Sequence, residues 1–258
     1  MIEVRKLCFS YGKNPVLKNV DFVADKGNLI AVLGPNGVGK STLFRCMLGF
    51  LKPTSGSVSV NGKDVSEFSR RELASEIAYI PQNYNPVFNH TVMESVLMGA
   101  THDLALFEQP GERHVRKAMQ RLEELGIAEL ADRGAMKISG GERQLMLIAR
   151  ALVQDAGILI MDEPTANLDY GNSYRVMQKI SLLGKAGFTI IFSTHNPDQA
   201  LRWADRVFAL KDGKVLADGP VESAINEEIL KTLYGVGVAV NTVRAGSGEY
   251  KVCTPFGE

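Results

Sequence analysis

Residues 34–42 read Gly-Pro-Asn-Gly-Val-Gly-Lys-Ser-Thr and directly follow an apolar run, Leu-Ile-Ala-Val-Leu, at 29–33. No other stretch restricts the fold so tightly. An apolar run, a turn carrying three glycines and then an apolar-rich segment at 43–48 give strand, loop and helix in succession, the order that turns main-chain N–H groups onto a phosphate chain. The glycines let the backbone approach an anion without intervening Cβ atoms, and the helix presents its positive end to the same point. Gly34, Pro35, Asn36, Gly37, Val38 and Gly39 then form the cradle. Lys40 reaches the β- and γ-phosphates, Ser41 ligates Mg²⁺ and Thr42 supports the α-phosphate. The competing possibility is a glycine-rich turn with an exposed lysine, against which the adjacent hydroxyls and flanking elements speak.

The rest of the chain supplies a core for such a loop. Runs at 29–33, 158–161, 189–192 and 207–210 are apolar almost throughout, as parallel strands covered on both faces must be. Ile2, Val4 and Leu7, and then Val58 and Val60 before Asn61-Gly62, have the spacing of half-buried antiparallel strands. About seventy residues, from Asn83 to Gln154, interrupt the core with helical spacing. One stripe there is Val115, Ala118, Met119, Leu122 and Leu125, closed by Gly126 as a C-cap; another is Leu145, Ile148, Ala149 and Leu152. Both are expected to pack inward. Asp212-Gly213 marks a turn, and residues 245–248 separate two short β-like stretches near the C-terminus.

The charge balance removes some functions. Twenty-nine basic and 29 acidic residues give a formal net charge of zero, so a global field for nucleic acid is not expected. Cys8, Cys46 and Cys253 are widely spaced and lack metal-ligand spacing, which fits a reducing cytoplasm. Neither a signal-peptide apolar region nor a run of the roughly 18 to 20 apolar residues that crosses a bilayer is found, so any membrane role has to come through a partner.

Three further constellations narrow the chemistry. The run at 158–161 ends in Asp162-Glu163: beside a phosphate loop the first is suited to Mg²⁺ and the second to the attacking water, whereas a solvated turn before Pro164 is the plainer alternative. Ser139-Gly140-Gly141-Glu142 has the form of a capping box. Yet two glycines in a first turn sacrifice about 1 kcal/mol each relative to alanine, so cap and phosphate site are expected to coincide there. On a helical subdomain this segment cannot easily serve the phosphate loop of its own chain, which implies a second chain. After the run at 189–192, Asn196 is a candidate N-cap and Pro197 the first helical residue, which sets His195 at the carboxyl edge of the sheet, where ligands of open α/β folds bind.

Together these motifs resemble the ATP-binding cassette (ABC) family over nearly the whole chain. In that resemblance residues 34–42 are the Walker A loop, Gln82 the Q-loop, residues 139–142 the signature and Asp162 with Glu163 the Walker B pair. Asp169 belongs to the D-loop, His195 is the switch histidine and Tyr11 stacks on adenine, although a tyrosine before Gly12 also suits a plain β-turn. The signature departs from the commonest family form at Ile138 and Glu142 while keeping its serine and glycines. The resemblance implies an α/β P-loop NTPase core of ABC ATPase type, with an antiparallel β subdomain and an inserted α-helical subdomain. It places core residues at 1–82 and 155–240, the helical signature subdomain at 83–154 and an extension at 241–258.

The same resemblance implies an ATPase using ATP and Mg²⁺, with Glu163, His195 and Gln82 catalytic, nucleotide held by Tyr11, residues 34–42, residues 139–142 and Asp169, and the metal by Ser41, Gln82 and Asp162. Two copies would pair head to tail around ATP, on integral-membrane permease subunits at the cytoplasmic face of the membrane, served indirectly by a substrate-binding protein and without nucleic acid. Coupling is expected through Gln82 and residues 83–88, where Val87 and Phe88 suit either a partner's helix or an internal plug. Segments 97–107 and 195–200 are similar to importers of iron chelates, haem and cobalamin. The alternatives are an exporter subunit, a soluble ABC machine acting on ribosomes or DNA, or a P-loop kinase, the last of which leaves Ser139 and its glycines unexplained.

Overall fold

A computed structural model describes residues 1–84, 88–105, 108–246 and 248–257. They fall into two compact units, Met1–Glu67 with Thr189–Glu258, and Phe68–Phe188.

The first unit opens with a hairpin of β1 (Ile2–Tyr11) and β2 (Asn14–Ala24). Ile2, Val4, Leu7 and Phe9 are buried. The inward spacing lengthens between Val4 and Leu7 because the pairing of β1 with β2 slips there and Lys6 takes φ +45°, a bulge that turns the following side chains back to the core. The fully buried β3 (Leu29–Leu33) runs into α1 (Lys40–Met47). Next, β4 (Ser55–Val60) pairs antiparallel with β1 and returns through Asn61-Gly62 into the short β5 (Lys63–Asp64), as the alternation of Val58 and Val60 predicts.

The second unit contains α2 (Arg70–Glu76), β6 (Ile77–Ile80), α3 (Val92–Leu97), α4 (Glu112–Leu125), α5 (Gly140–Val153), β7 (Ile158–Met161) and α6 (Tyr170–Lys185). β6 and β7 pair in parallel. The helices α3, α4 and α5 pack on one another, and α5 also touches α6 and β6. Surrounded in this way, α5 buries Met146, Leu147 and Val153 besides the expected Ile148, Ala149 and Leu152, while Leu145 is only half-buried. In α4 the inward stripe is His114, Ala118, Leu122 and Leu125, and Val115 is 39 % exposed. This corrects the expected place of Val115. His114 takes the inward position because its Nδ1 accepts the Gly111 N–H (3.1 Å), folding the ring back on the helix start. Gly126, at φ +77°, ends the helix as predicted.

The chain then completes the first unit with β8 (Thr189–Thr194), α7 (Pro197–Trp203), β9 (Arg206–Lys211), β10 (Lys214–Pro220), α8 (Val221–Ala224), α9 (Glu227–Tyr234), β11 (Gly237–Ala245) and β12 (Gly248–Phe256). β3 lies between β8 and β9, parallel to both, and β10 adds an antiparallel edge across the Asp212-Gly213 turn. Three of the four apolar runs are thus neighbours in one sheet, with all of β3 and β8 buried. β11 and β12 form an antiparallel hairpin of nine residues a strand, longer than the short stretches expected. Among the described residues, no helix is long and apolar enough to cross a membrane.

Candidate functional site

In the first unit, the glycine loop and His195 leave the sheet side by side. Leu33 and Thr194 are register partners in parallel strands, and the Gly34 N–H donates to the Thr194 carbonyl (3.2 Å). Gly34 is a glycine for packing reasons: a Cβ there would lie 2.4 Å from the Leu210 carbonyl oxygen of β9. Gly39, at φ +109°, adopts a backbone that L side chains rarely take, and a Cβ would also press on Leu17 at 3.0 Å. The exposed-lysine possibility fails, because Lys40 is only 5 % exposed. Its Nζ donates to the carbonyls of Gly34 (2.7 Å) and Pro35 (3.0 Å), which wraps the loop around the ammonium group.

The start of α1 is chemically unlike the other helix starts. Side chains of Ser69, Thr91, Ser139, Asp169, Asn196 and Asn226 cap α2, α3, α5, α6, α7 and α9. α4 and α8 lack such a cap but carry Glu112 and Glu222 in their first turns, whereas among the described helices α1 has neither a side-chain cap nor an acidic residue there. The positive end of its dipole is therefore not offset by an acidic side chain of its own first turn, and Lys40 adds a full charge at the same place. Thr42 is buried and Ser41 half-buried in that turn, whereas Asn36 and Gly37 are exposed at the tip of the loop. Tyr11 is 45 % exposed, with its ring edge-on to Phe9 at 4.8 Å between centroids.

His195 is exposed, and the chain on both sides of it is tied down. Thr194 Oγ1 accepts the Asn196 N–H (3.0 Å) and pairs with Gln199 Oε1 (2.9 Å). Asn196 caps α7 through the Asp198 N–H (2.9 Å), with Pro197 at the first helical position as the sequence predicts. The Tyr234 hydroxyl donates to the carbonyl of His195 itself (2.8 Å).

In the second unit, β6 and β7 bring a glutamine and two acids together. Ile80 pairs with Met161, and the Asp162 N–H continues the ladder to the Ile80 carbonyl (2.9 Å). Gln82 and Glu163 therefore emerge as neighbours, and Gln82 Nε2 donates to Glu163 Oε2 (3.1 Å). Asp162 is buried, and Glu163 is half-buried at φ +45°. A non-glycine residue held there costs about 1–3 kcal/mol and is retained where the surrounding structure fixes it.

These donors suit magnesium. Taken unit by unit, the Ser41 hydroxyl in the first and the buried Asp162 carboxylate in the second are each hard oxygen donors of the kind that Mg²⁺ accepts. No group of three or more His, Cys, Asp or Glu able to hold a metal occurs among the described residues.

The Ser139 segment is a cap, and one of its glycines has a packing reason. The Ser139 hydroxyl accepts the Glu142 N–H (3.3 Å), and Glu142 Oε2 accepts the Ser139 N–H (2.7 Å). That second bond holds the Glu142 carboxyl below its usual range. A Cβ on Gly141 would meet Asn172 Cγ at 2.8 Å, whereas one on Gly140 would meet only the tip of Leu168, at 3.1 Å. Asn172 is in turn held by Asp169, whose carboxylate accepts its N–H (2.8 Å) and its Nδ2 (2.6 Å). The starts of α5 and α6 thus meet at Asn172, a residue that sequence spacing does not single out. Ser139 and Gly140 remain exposed above this contact, so their absence of packing demand leaves them open to a ligand.

Of the expected coupling stretch, Asn85, Pro86 and Val87 lie outside the described residues, as do Leu106 and Phe107. Phe88 is 70 % exposed, which removes the internal-plug alternative for that residue.

Comparison with known proteins bears on the family. Residues 17–166 match the family model described as ABC transporter. The chain is 36 % identical over 255 residues to the hemin import ATP-binding protein HmuV of Rhodopseudomonas palustris, covering 95 % of each. It is similar to a solved putative metal-chelate type ABC transporter in an inward-facing conformation, with a TM-score of 0.90, 29 % identity and coverage of 99 % and 96 %. It is also similar to a dimeric bacterial ABC transporter cassette, with a TM-score of 0.74, 27 % identity and coverage of 86 % and 99 %.

Proposed function

The chain belongs to the ABC transporter family, and from that premise we propose that it is the ATP-hydrolysing subunit of an importer for haem, an iron siderophore, cobalamin or a related metal chelate. The observation that carries the nucleotide site is the bare start of α1, with Lys40 enclosed by its own loop and His195 leaving the adjacent strand. The cargo class rests on the likeness to a hemin-import protein and to a metal-chelate type transporter.

In this mechanism Lys40 and the N–H groups of the loop bind the β- and γ-phosphates, and Tyr11 stacks on the adenine. Ser41, Gln82 and Asp162 would hold a Mg²⁺ ion, which would supply charge neutralisation to the phosphate chain. Glu163 accepts a proton as water attacks the γ-phosphorus and the bond to the bridging oxygen breaks; Gln82, hydrogen-bonded to it, keeps the carboxylate aimed. His195 donates to the phosphoryl group in flight. A second copy, related head to tail, supplies Ser139 and the N–H groups of Gly140 and Gly141 to the γ-phosphate, with Glu142 and Asp169 holding the two helix starts in place. Departure of the phosphoryl group loosens those contacts, and the two copies part, moving permease subunits bound at the cytoplasmic face of the membrane.

Glu163→Gln tests this directly. The variant is expected to bind Mg-ATP, to turn over at least about 100-fold more slowly, the usual contribution of a general base, and to run as a dimer in size exclusion only with Mg-ATP. Adding Ser139→Ala should abolish the dimer. Wild-type turnover in Glu163→Gln, or a monomer at saturating Mg-ATP, would refute the mechanism. Recovery from membranes with ribosomal proteins instead of a multi-span permease would refute the transport role.

A further inference from the structure

The C-terminal hairpin and the last residue of α9 are fastened to the His195 loop and the helix after it at points the nucleotide site does not require. Tyr234 is the last residue of α9, and Gly235, at φ +74°, stops the helix there. Leu230 and Leu233 bury the face of α9 behind it. This fixes the Tyr234 ring so that its hydroxyl meets the His195 carbonyl at 2.8 Å. Burial pushes the phenol well above its ordinary value, so it remains a donor throughout any neutral assay. Beyond α9, β12 reaches the helix that follows His195: Asp198 Oδ1 accepts the Cys253 N–H (2.7 Å), and the Arg202 guanidinium lies 5.1 Å from the Tyr250 ring centroid. The hairpin also returns to α9, where the Val240 N–H donates to Glu227 Oε1 (3.4 Å).

A two-stranded hairpin is marginal alone, so its order depends on this docking. Conversely, the His195 loop is held from three sides: by Thr194 from the sheet, by Asn196 from α7 and by Tyr234 from α9. The Tyr234 bond comes from outside the segment 194–199, as do the Gly34 N–H bond to the Thr194 carbonyl and the Cys253 N–H bond to Asp198.

We propose that Tyr234 is a positioning residue for His195, and that the β11–β12 hairpin, through Asp198, holds α7 and the histidine loop in the arrangement used for hydrolysis. The catalytic consequence rests on the role of His195 proposed above; the tie itself does not. Residues 237–257 are then a brace on the phosphate-sensing edge of the sheet, and anything that detaches the hairpin slows the enzyme without removing a nucleotide contact.

The chain has four histidines, few enough for each ring to be followed by NMR in full-length protein labelled at histidine, with His195 assigned by loss of its signal in His195→Gln. Tyr234→Phe, which removes only the hydroxyl, is expected to shift or broaden the His195 signal and leave His90, His102 and His114 unchanged. It is expected to lower kcat three- to tenfold at constant KM for ATP, and to add no further loss to His195→Gln. Asp198→Ala, which releases the Cys253 N–H, is expected to move the same signal with Tyr234 intact. An unmoved His195 signal in Tyr234→Phe, or an equal fall in kcat in the His195→Gln background, would overturn the positioning role. An unmoved signal in Asp198→Ala would overturn the hairpin's part. If His195→Gln itself turns over like wild type, the catalytic reading of His195 fails, and the NMR signals still decide the tie.

Discussion

The two glycines after Ser139 should separate cleanly when each is replaced by alanine. Either change gains up to about 1 kcal/mol of helix propensity. At Gly140 the new methyl meets only the Leu168 Cδ2 end at 3.1 Å, a flexible tip that yields with little cost. At Gly141 it meets Asn172 Cγ, Oδ1 and Cβ at 2.8, 2.9 and 3.0 Å, atoms anchored to the α6 backbone and to Asp169. Overpacking of this kind typically costs about 1–3 kcal/mol. Gly140→Ala should therefore be as stable as wild type or slightly more so, while Gly141→Ala, with the same propensity gain, should lie about 1–3 kcal/mol below Gly140→Ala. At about 2–4 °C per kcal/mol for a chain of this size, thermal unfolding followed by circular dichroism should place Gly141→Ala about 2–12 °C below Gly140→Ala. Both should lose ATP-dependent pairing in the Glu163→Gln background, Gly140→Ala despite its stability, because a methyl at that exposed helix start occupies the space of the ligand. Equal melting temperatures for the two variants would refute the packing account of Gly141. Undiminished pairing by Gly140→Ala would refute its ligand role.

Lys40→Ala should weaken Mg-ATP binding about 10- to 150-fold, the equivalent of a charge-assisted hydrogen bond of about 1.5–3 kcal/mol; calorimetry or a fluorescent-nucleotide titration would measure it, and unchanged affinity would contradict the phosphate-loop assignment. The carboxyls of Glu94, Glu142 and Asp169 are all depressed, chiefly because each accepts a backbone N–H, from Thr91, Ser139 and Asn172 respectively. Their folded values lie below their unfolded ones, so this stability is complete above the unfolded range and is lost as pH falls through the folded values. Melting temperature should drop across that acid window, and less steeply in Asp169→Asn and Glu142→Gln. Burial pushes the Cys46 thiol up to about 11 and the Cys253 thiol up to about 12, so a thiolate-directed reagent near pH 8 should label Cys8 ahead of both.

What the sequence announced and what it withheld follow from how each feature is encoded. Continuous apolar runs marked β3, β7, β8 and β9 because a strand covered on both faces tolerates few polar residues. β6 escaped notice: four residues, Ile77 to Ile80, carry too short a period to stand apart from the helix before them, although Pro81 marks their end. The bulge at Lys6 and the inward turn of His114 are likewise set by partners, the β2 register and the Gly111 N–H, that no local pattern reveals. Capping residues were legible where they are chemically necessary, as at Ser139 and Asn196. Asn172 and Tyr234 were not, because an asparagine inside a helix and a tyrosine at its end gain their roles only from what lies opposite them.

The same contrast explains why pairs of candidate site residues occur where they do. Loop chemistry at the end of a parallel strand is aligned with loop chemistry at the end of its neighbour whenever the hydrogen-bond ladder runs on past the last strand residue. The Gly34 N–H to Thr194 carbonyl bond does this for the phosphate loop and His195, and the Asp162 N–H to Ile80 carbonyl bond does it for Glu163 and Gln82. Each pair is set by backbone geometry that a point substitution of a side chain leaves intact. Loss of activity in Glu163→Gln can therefore be read as loss of that carboxylate, whereas Lys40→Ala also removes the Nζ bonds to Gly34 and Pro35 that shape the loop, and the side-chain ties at Asn172 and Tyr234 are further places where a distant change reaches the site through structure.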